Sequence, residues 1–214
     1  MYRPTHVIKG LYAITPDCTD TPELLRRTRL ALTGGASVLQ YRNKAASGHV
    51  RLAQALQLRK LTREFSVPLI VNDDVSLAQR VDADGVHLGA SDATLASARA
   101  VLGPQKIIGV SCYNRPAPAR AAVREGADYV AFGAFFPSTV KPEAVAAEMG
   151  MLRLMRAELE VPLVAIGGIT AQNGAELIAA GADALAVISA LFDAADIEGA
   201  ARDFSRLFIQ DSAT

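Results

Sequence analysis

Gln40-Tyr41-Arg42-Asn43-Lys44 closes the apolar run Ala36-Ser37-Val38-Leu39 and sets an amide and two cations at every second position. Extended chain sends successive side chains to opposite faces, so Gln40, Arg42 and Lys44 share one face while Leu39 and Tyr41 take the other. Two fixed cations at a strand end ask for an anion, because an unpaired buried charge costs roughly several kcal/mol even after relaxation. Phosphate or diphosphate is the simplest partner. Two further apolar runs end in acids: Ile70-Val71 leads into Asn72-Asp73-Asp74, and Gly85-Val86-His87-Leu88-Gly89 is followed by Ser91-Asp92. On neighbouring strands, about 4.8 Å apart, Asp73 and Asp92 reach one ion. Two carboxylates with few other protein oxygens suit magnesium, which keeps several waters and takes the rest of its shell from substrate phosphates. Each acid also reads as a helix cap, Asp73 for the third helix and Asp92 for the fourth. The cations nearby favour the metal.

Three later segments carry further ligand chemistry. Phe132 to Pro142 joins an aromatic pair, Phe135-Phe136, to Ser138, Thr139 and Lys141. Such a loop folds over a ligand, its aromatics excluding water while Ser138, Thr139 and Lys141 meet phosphate oxygens; it also reads as a surface loop pinned by its phenylalanines. Ile166-Gly167-Gly168-Ile169 and Val187-Ile188-Ser189-Ala190 each close a late apolar run, and in an α/β barrel the loops after the seventh and eighth strands frequently make a phosphate site from glycine N–H groups and a helix N-terminus. Ser111, after Gly109-Val110, is a ligand contact, whereas its neighbour Cys112 has no histidine close in sequence to activate a thiolate. His87 reads equally as a hydrogen-bonded core residue and takes no catalytic role.

Short aliphatic runs alternate with segments of helical period, the pattern of βαβ units. Strands are expected over 10–15, 37–42, 68–72, 84–88, 106–111, 128–132, 162–166 and 183–188, with helices such as 50–65 and 117–125. Thr21 before Pro22 reads as a helix N-cap. Gly126-Ala127-Asp128, Gly181-Ala182-Asp183, Asp82-Ala83-Asp84 and Gly35-Ala36-Ser37 all precede even-numbered strands, and Val67-Pro68 echoes Val161-Pro162 four strands apart. These echoes favour a closed single (β/α)8 barrel over an open sheet, whose edge strands should read differently. In such a barrel the polar residues above all fall at the carboxyl ends of strands, where active sites sit.

The 214 residues suit one barrel domain, with 210–214 a frayed tail. Half are apolar, and the 22 Lys and Arg match the 22 Asp and Glu, so no global field recruits nucleic acid or a membrane. No run approaches the roughly 18 apolar residues of a membrane span, and no apolar stretch follows a basic start. With Cys18 and Cys112 outside any paired motif, a reducing cytoplasm is expected. Oligomeric state is left open, and a homo-oligomer is compatible with the sequence.

Taken in order, Leu11-Tyr12-Ala13-Ile14-Thr15, Gln40-x-Arg42-x-Lys44, Asn72-Asp73, Gly85-Val86-His87-Leu88-Gly89, Gly109-Val110-Ser111, Phe132-Gly133 with Phe136-Pro137, Ile166-Gly167-Gly168-Ile169 and Val187-Ile188-Ser189 resemble the thiamine phosphate synthase family over nearly the whole chain. The resemblance implies a (β/α)8 transferase joining hydroxymethylpyrimidine diphosphate to hydroxyethylthiazole phosphate with release of diphosphate. It implies magnesium on Asp73 and Asp92, diphosphate on Arg42, Lys44, Asn72 and Lys141, the pyrimidine or leaving group facing Gln40 and Ser111, and thiazole phosphate cradled by Gly168, Ile188 and Ser189. Arg42, Lys44, Ser111 and Lys141 would act on the reaction itself. Asn43, Asp74, Ala90 and Val140 depart from the family's usual acid, arginine, glutamine and threonine, and Asp74 reverses charge beside the metal site. A thiazole tautomerase would lack a diphosphate grip, and a non-catalytic thiazole phosphate carrier would keep only the glycine loops. A sugar-phosphate isomerase barrel would need an acid–base pair that is not evident.

Overall fold

The computed structural model describes residues 8–89, 92–137 and 147–210. Eight parallel strands close into a barrel in sequence order, β1 (Gly10–Ile14), β2 (Val38–Tyr41), β3 (Leu69–Asn72), β4 (Gly85–Leu88), β5 (Ile107–Tyr113), β6 (Tyr129–Phe132), β7 (Leu163–Ile166) and β8 (Ala184–Val187). The connecting helices are α1 (Thr21–Thr33), α2 (Gly48–Glu64), α3 (Val75–Arg80), α4 (Leu95–Leu102), α5 (Pro116–Arg124), α6 (Met149–Glu158), α7 (Gly174–Ala179) and α8 (Ser189–Phe192), with α9 (Ile197–Gln210) last. Each strand begins and ends close to its expected bounds. Two caps differ. Asp20, not Thr21, caps α1 by accepting the Glu23 N–H, because Thr21 already has helical backbone and Pro22 fills the first turn. Asp74 rather than Asp73 caps α3, and Thr94 rather than Asp92 caps α4.

Alternation along the strands sorts side chains into two apolar bodies. Leu11, Leu39, Val71, Val86 and Leu185 face the helices, while Tyr12, Ile14, Val38, Ile70, Tyr129, Val164 and Ala186 fill the barrel. Burying one large side chain is worth roughly 1.5–3 kcal/mol, so reversing a strand's register would forfeit several such terms. Gly109 is there for room: a Cβ on it would lie 1.9 Å from the Tyr129 ring, which crosses the barrel interior.

The echoed aspartates form a repeated clasp at the amino-terminal rim. The backbone N–H of Asp84 donates to Leu69 O at 2.9 Å, and its carboxylate accepts the Leu69 N–H at 2.7 Å. Asp128 closes the same loop with Ile108 and Asp183 with Leu163. An arginine from the helix preceding the odd strand completes each clasp: Arg59 of α2 on Asp84, Arg99 of α4 on Asp128 and Arg156 of α6 on Asp183. Ser37 holds the fourth position without charge, its hydroxyl donating to Leu11 O.

Candidate active site

Strand β2 ends at Tyr41, one residue before the expected bound, so Gln40 points into the barrel while Arg42 and Lys44 occupy the loop above. The loop is fixed from below. Thr15 accepts the Arg42 N–H at 2.9 Å and donates to Arg42 O, and buried Asn43 donates to Gln54 Oε1 and to Cys18 O. Tyr41 donates to the same Gln54 oxygen. An acid at position 43 would bring a charge into this pocket; the amide fills it neutrally.

The two cations part company. Lys44 Nζ lies 3.3 Å from Asp73 Oδ2. Arg42 Nη1 is instead 3.2 Å from Asp17, whose other oxygen accepts the Lys44 N–H at 2.6 Å. Asp17 follows β1 in a Thr-Pro-Asp turn that reads as an ordinary connection, and nothing in the sequence singles it out. It ties the Arg42 guanidinium to the Lys44 backbone N–H.

Asn72 is the last residue of β3, in register with His87 of β4. Asp73 follows with left-handed backbone (φ +62°), its N–H donating to His87 O at 2.8 Å. A non-glycine residue there costs of order 1–3 kcal/mol and persists when its surroundings fix it. The turn brings the Asp73 carboxyl against that of Asp92, which also accepts the Gly89 N–H at 2.6 Å. Burial, then Asp92, raise the Asp73 pKa, with Lys44 opposing. Two anions pressed together demand a shared proton or a cation. That donor set fits magnesium, which takes hard carboxylate oxygens from one or two acids and completes its shell with water and substrate phosphates. Asp74, turned away as the α3 cap, pairs with Arg51 of α2 at 3.6 Å, so its charge is answered locally rather than added to the metal site.

Ser111 lies on β5 with its Oγ 2.8 Å from His87 Nε2. His87 Nδ1 meets Tyr129 Oη at 2.8 Å, Tyr129 meets Tyr12 Oη at 2.8 Å, and Gln40 Nε2 donates to Tyr12 Oη at 2.8 Å. Burial lowers the His87 pKa to about 4, against a weaker upward pull from Asp92, so the ring is neutral near pH 7. Burial pushes the Cys112 thiol up to about 12, which removes it as a nucleophile.

Gly167 and Gly168 both have left-handed backbone after β7. A Cβ on Gly168 would come within 2.3 Å of Pro137 O and 2.7 Å of Phe136 O, so the β6 loop and the β7 loop touch there. Asn173 holds the turn by donating to Gly168 O at 3.1 Å. Ile188 and Ser189 follow the adjacent strand β8, where α8 begins. Ser138 and Lys141 lie outside the described residues. All the other expected site residues gather at the carboxyl rim; Asp17, Tyr12, Tyr129 and Arg51 were not anticipated.

Residues 11–191 match the family model described as thiamine monophosphate synthase. The thiamine-phosphate synthase of Methylobacillus flagellatus is 59% identical over 94% of this chain and 96% of its own, and that of Thiobacillus denitrificans 53% identical over 93% and 94%. The structure titled thiamine phosphate pyrophosphorylase from Pyrococcus furiosus superposes with a TM-score of 0.85 at 35% identity, covering 96% of this chain and 97% of that one.

Proposed function

The chain belongs to the thiamine monophosphate synthase family and is a transferase that makes thiamine phosphate, and we propose that its carboxyl rim does so by drawing diphosphate away from an aminopyrimidine. The reading rests on one observation, the convergence of Lys44, Asp73 and Asp92 beside Asn72 at the mouth of the barrel.

Arg42, Lys44 and Asn72 bind the diphosphate oxygens of hydroxymethylpyrimidine diphosphate, with Lys141 and Ser138 of the β6 loop joining them. Asp73 and Asp92 would hold Mg2+, which would supply neutralising charge to the leaving group. Gln40 and Ser111 face the pyrimidine, and Gly168, Ile188 and Ser189 take hydroxyethylthiazole phosphate. Breaking the carbon–oxygen bond leaves a cation that an electron-rich aminopyrimidine delocalises, so the protein's task is to stabilise departing charge and align the thiazole nitrogen. Bond cleavage consumes no proton and the attacking nitrogen carries none to lose, so no general base is needed. Neutral His87, with both ring nitrogens committed to hydroxyls, accords with that. Cys18 and Cys112 are free thiols, in keeping with a reducing cytoplasm as the place where the enzyme works on small phosphorylated substrates.

With both substrates and magnesium the protein releases diphosphate. Asp73→Ala lowers that rate by about 10²–10³-fold, the scale for losing one preorganised charge stabiliser, while thiazole phosphate still binds. Product formation that survives chelation of the metal contradicts the assignment, as does isomerisation of the thiazole alone without pyrimidine.

A further inference from the structure

Five side chains from five strands form one hydrogen-bonded series inside the barrel: Gln40, Tyr12, Tyr129, His87 and Ser111, each 2.8 Å from the next. Gln40, Tyr12, Tyr129 and His87 are buried, and Gly109 lacks the side chain that would block the Tyr129 phenol. The two ends, Gln40 and Ser111, are the residues assigned above to the pyrimidine, while the three in the middle have no role in the reaction as described.

Each hydroxyl in the line carries one proton, so the direction of one bond dictates the others. Gln40 Nε2 donates to Tyr12. Tyr12 must then donate to Tyr129, since otherwise its own proton is left buried without an acceptor. Tyr129 donates to His87 Nδ1, His87 carries its proton on Nε2 and gives it to Ser111 Oγ, and the Ser111 proton is left for the ligand. At the other end the Gln40 carbonyl oxygen is left as an acceptor. We propose that Tyr12, Tyr129 and His87 are positioning residues of a one-way hydrogen-bond relay, which makes Ser111 a donor and Gln40 an acceptor toward the bound pyrimidine.

The pairing has a chemical target. The edge of a 4-aminopyrimidine shows a donor, its amino group, next to an acceptor, its ring nitrogen. A 4-oxopyrimidine shows the reverse, so Ser111 set against the ring nitrogen meets a donor with a donor, or Gln40 set against the 4-substituent meets an acceptor with an acceptor. The inference rests on the reading that Gln40 and Ser111 face the pyrimidine, and its test separates the two.

Nitrogen-15 NMR of the whole protein reads the His87 tautomer directly, among only three histidines. Wild type shows the Nε2–H form. Gln40→Glu sets a carboxylate against Tyr12, which must now donate to it, so the line reverses and His87 changes to Nδ1–H. Adding Tyr129→Phe breaks the line, and His87 no longer responds to residue 40. An Nδ1–H ring in the wild type, or the same tautomer in wild type and Gln40→Glu, overturns the relay whatever the activity. In kinetics, Tyr129→Phe lowers kcat/KM for the pyrimidine diphosphate by about tenfold, the scale of one hydrogen bond, and leaves KM for thiazole phosphate unchanged. It also narrows the preference for the 4-amino over the 4-oxo substrate relative to wild type, a comparison in which intrinsic reactivity cancels. A loss confined to thiazole phosphate overturns the placement of the pyrimidine at the two ends, with the tautomer result standing by itself.

Discussion

Acid should unfold this protein partly through His87. The ring is buried, accepts a hydroxyl on one nitrogen and donates to a hydroxyl from the other, and its pKa falls from 6.5 to about 4 with burial as the main cause. A group held below its ordinary value binds its proton more readily in the unfolded chain. The stability it contributes is therefore complete above pH 6.5 and is lost as pH falls toward 4. At 1.36 kcal/mol per pH unit the full loss is roughly 3 kcal/mol, and about 2 kcal/mol of it is gone between pH 7 and pH 5. Asp73, whose carboxyl is raised, works in the opposite sense at the acid end. Urea unfolding of wild type and His87→Gln at pH 7, 6 and 5 isolates the histidine, because every other titrating group is common to both chains. The wild type should lose about 2 kcal/mol more than the variant between pH 7 and 5. Parallel pH dependences would show that His87 titrates alike in folded and unfolded chains, and the account of a neutral, doubly bonded ring would be wrong.

Two other outcomes follow from the geometry. Gly168→Ala places a Cβ 2.3 Å from Pro137 O in left-handed backbone, so the β6 and β7 loops must separate, and KM for thiazole phosphate should rise about tenfold, the effect of misplacing a binding loop by an ångström or less; steady-state kinetics with each substrate varied in turn checks that the pyrimidine KM moves less. Asp84→Ala strips the Leu69 N–H of its carboxylate acceptor at the opposite end of the barrel and leaves Arg59 only Asp82, at 3.9 Å, and should cost about 1–3 kcal/mol in urea unfolding, the scale of a buried donor left unpaired, with kcat unchanged.

Strand positions were legible because each β run is a short aliphatic block bounded by Gly, Asp or Pro, and the closed topology was legible in the Ala-Asp echoes before β4, β6 and β8. The rim was legible where polar residues interrupt such a block, as at Asn72-Asp73 and Arg42-Asn43-Lys44. Asp17 escaped because an acid after Thr-Pro looks like any surface turn, and its meaning comes only from the β2 loop folded against it. Tyr12 and Tyr129 escaped for a different reason. Aromatics inside strands read as core, and 117 residues separate two hydroxyls that meet only when the barrel closes. The choice of Asp74 over Asp73 as the α3 cap depends on one left-handed residue, which no periodicity discloses.

The clasps of Asp84, Asp128 and Asp183 secure closure from beneath, far from where substrates meet. A fold tied at its base leans less on its upper lip for cohesion, so that lip is free to keep mutually repelling acids and strained turns that would be intolerable in a load-sharing joint. New ligands can then be tried above by changing loops one at a time, while the foundation goes on assembling the same container.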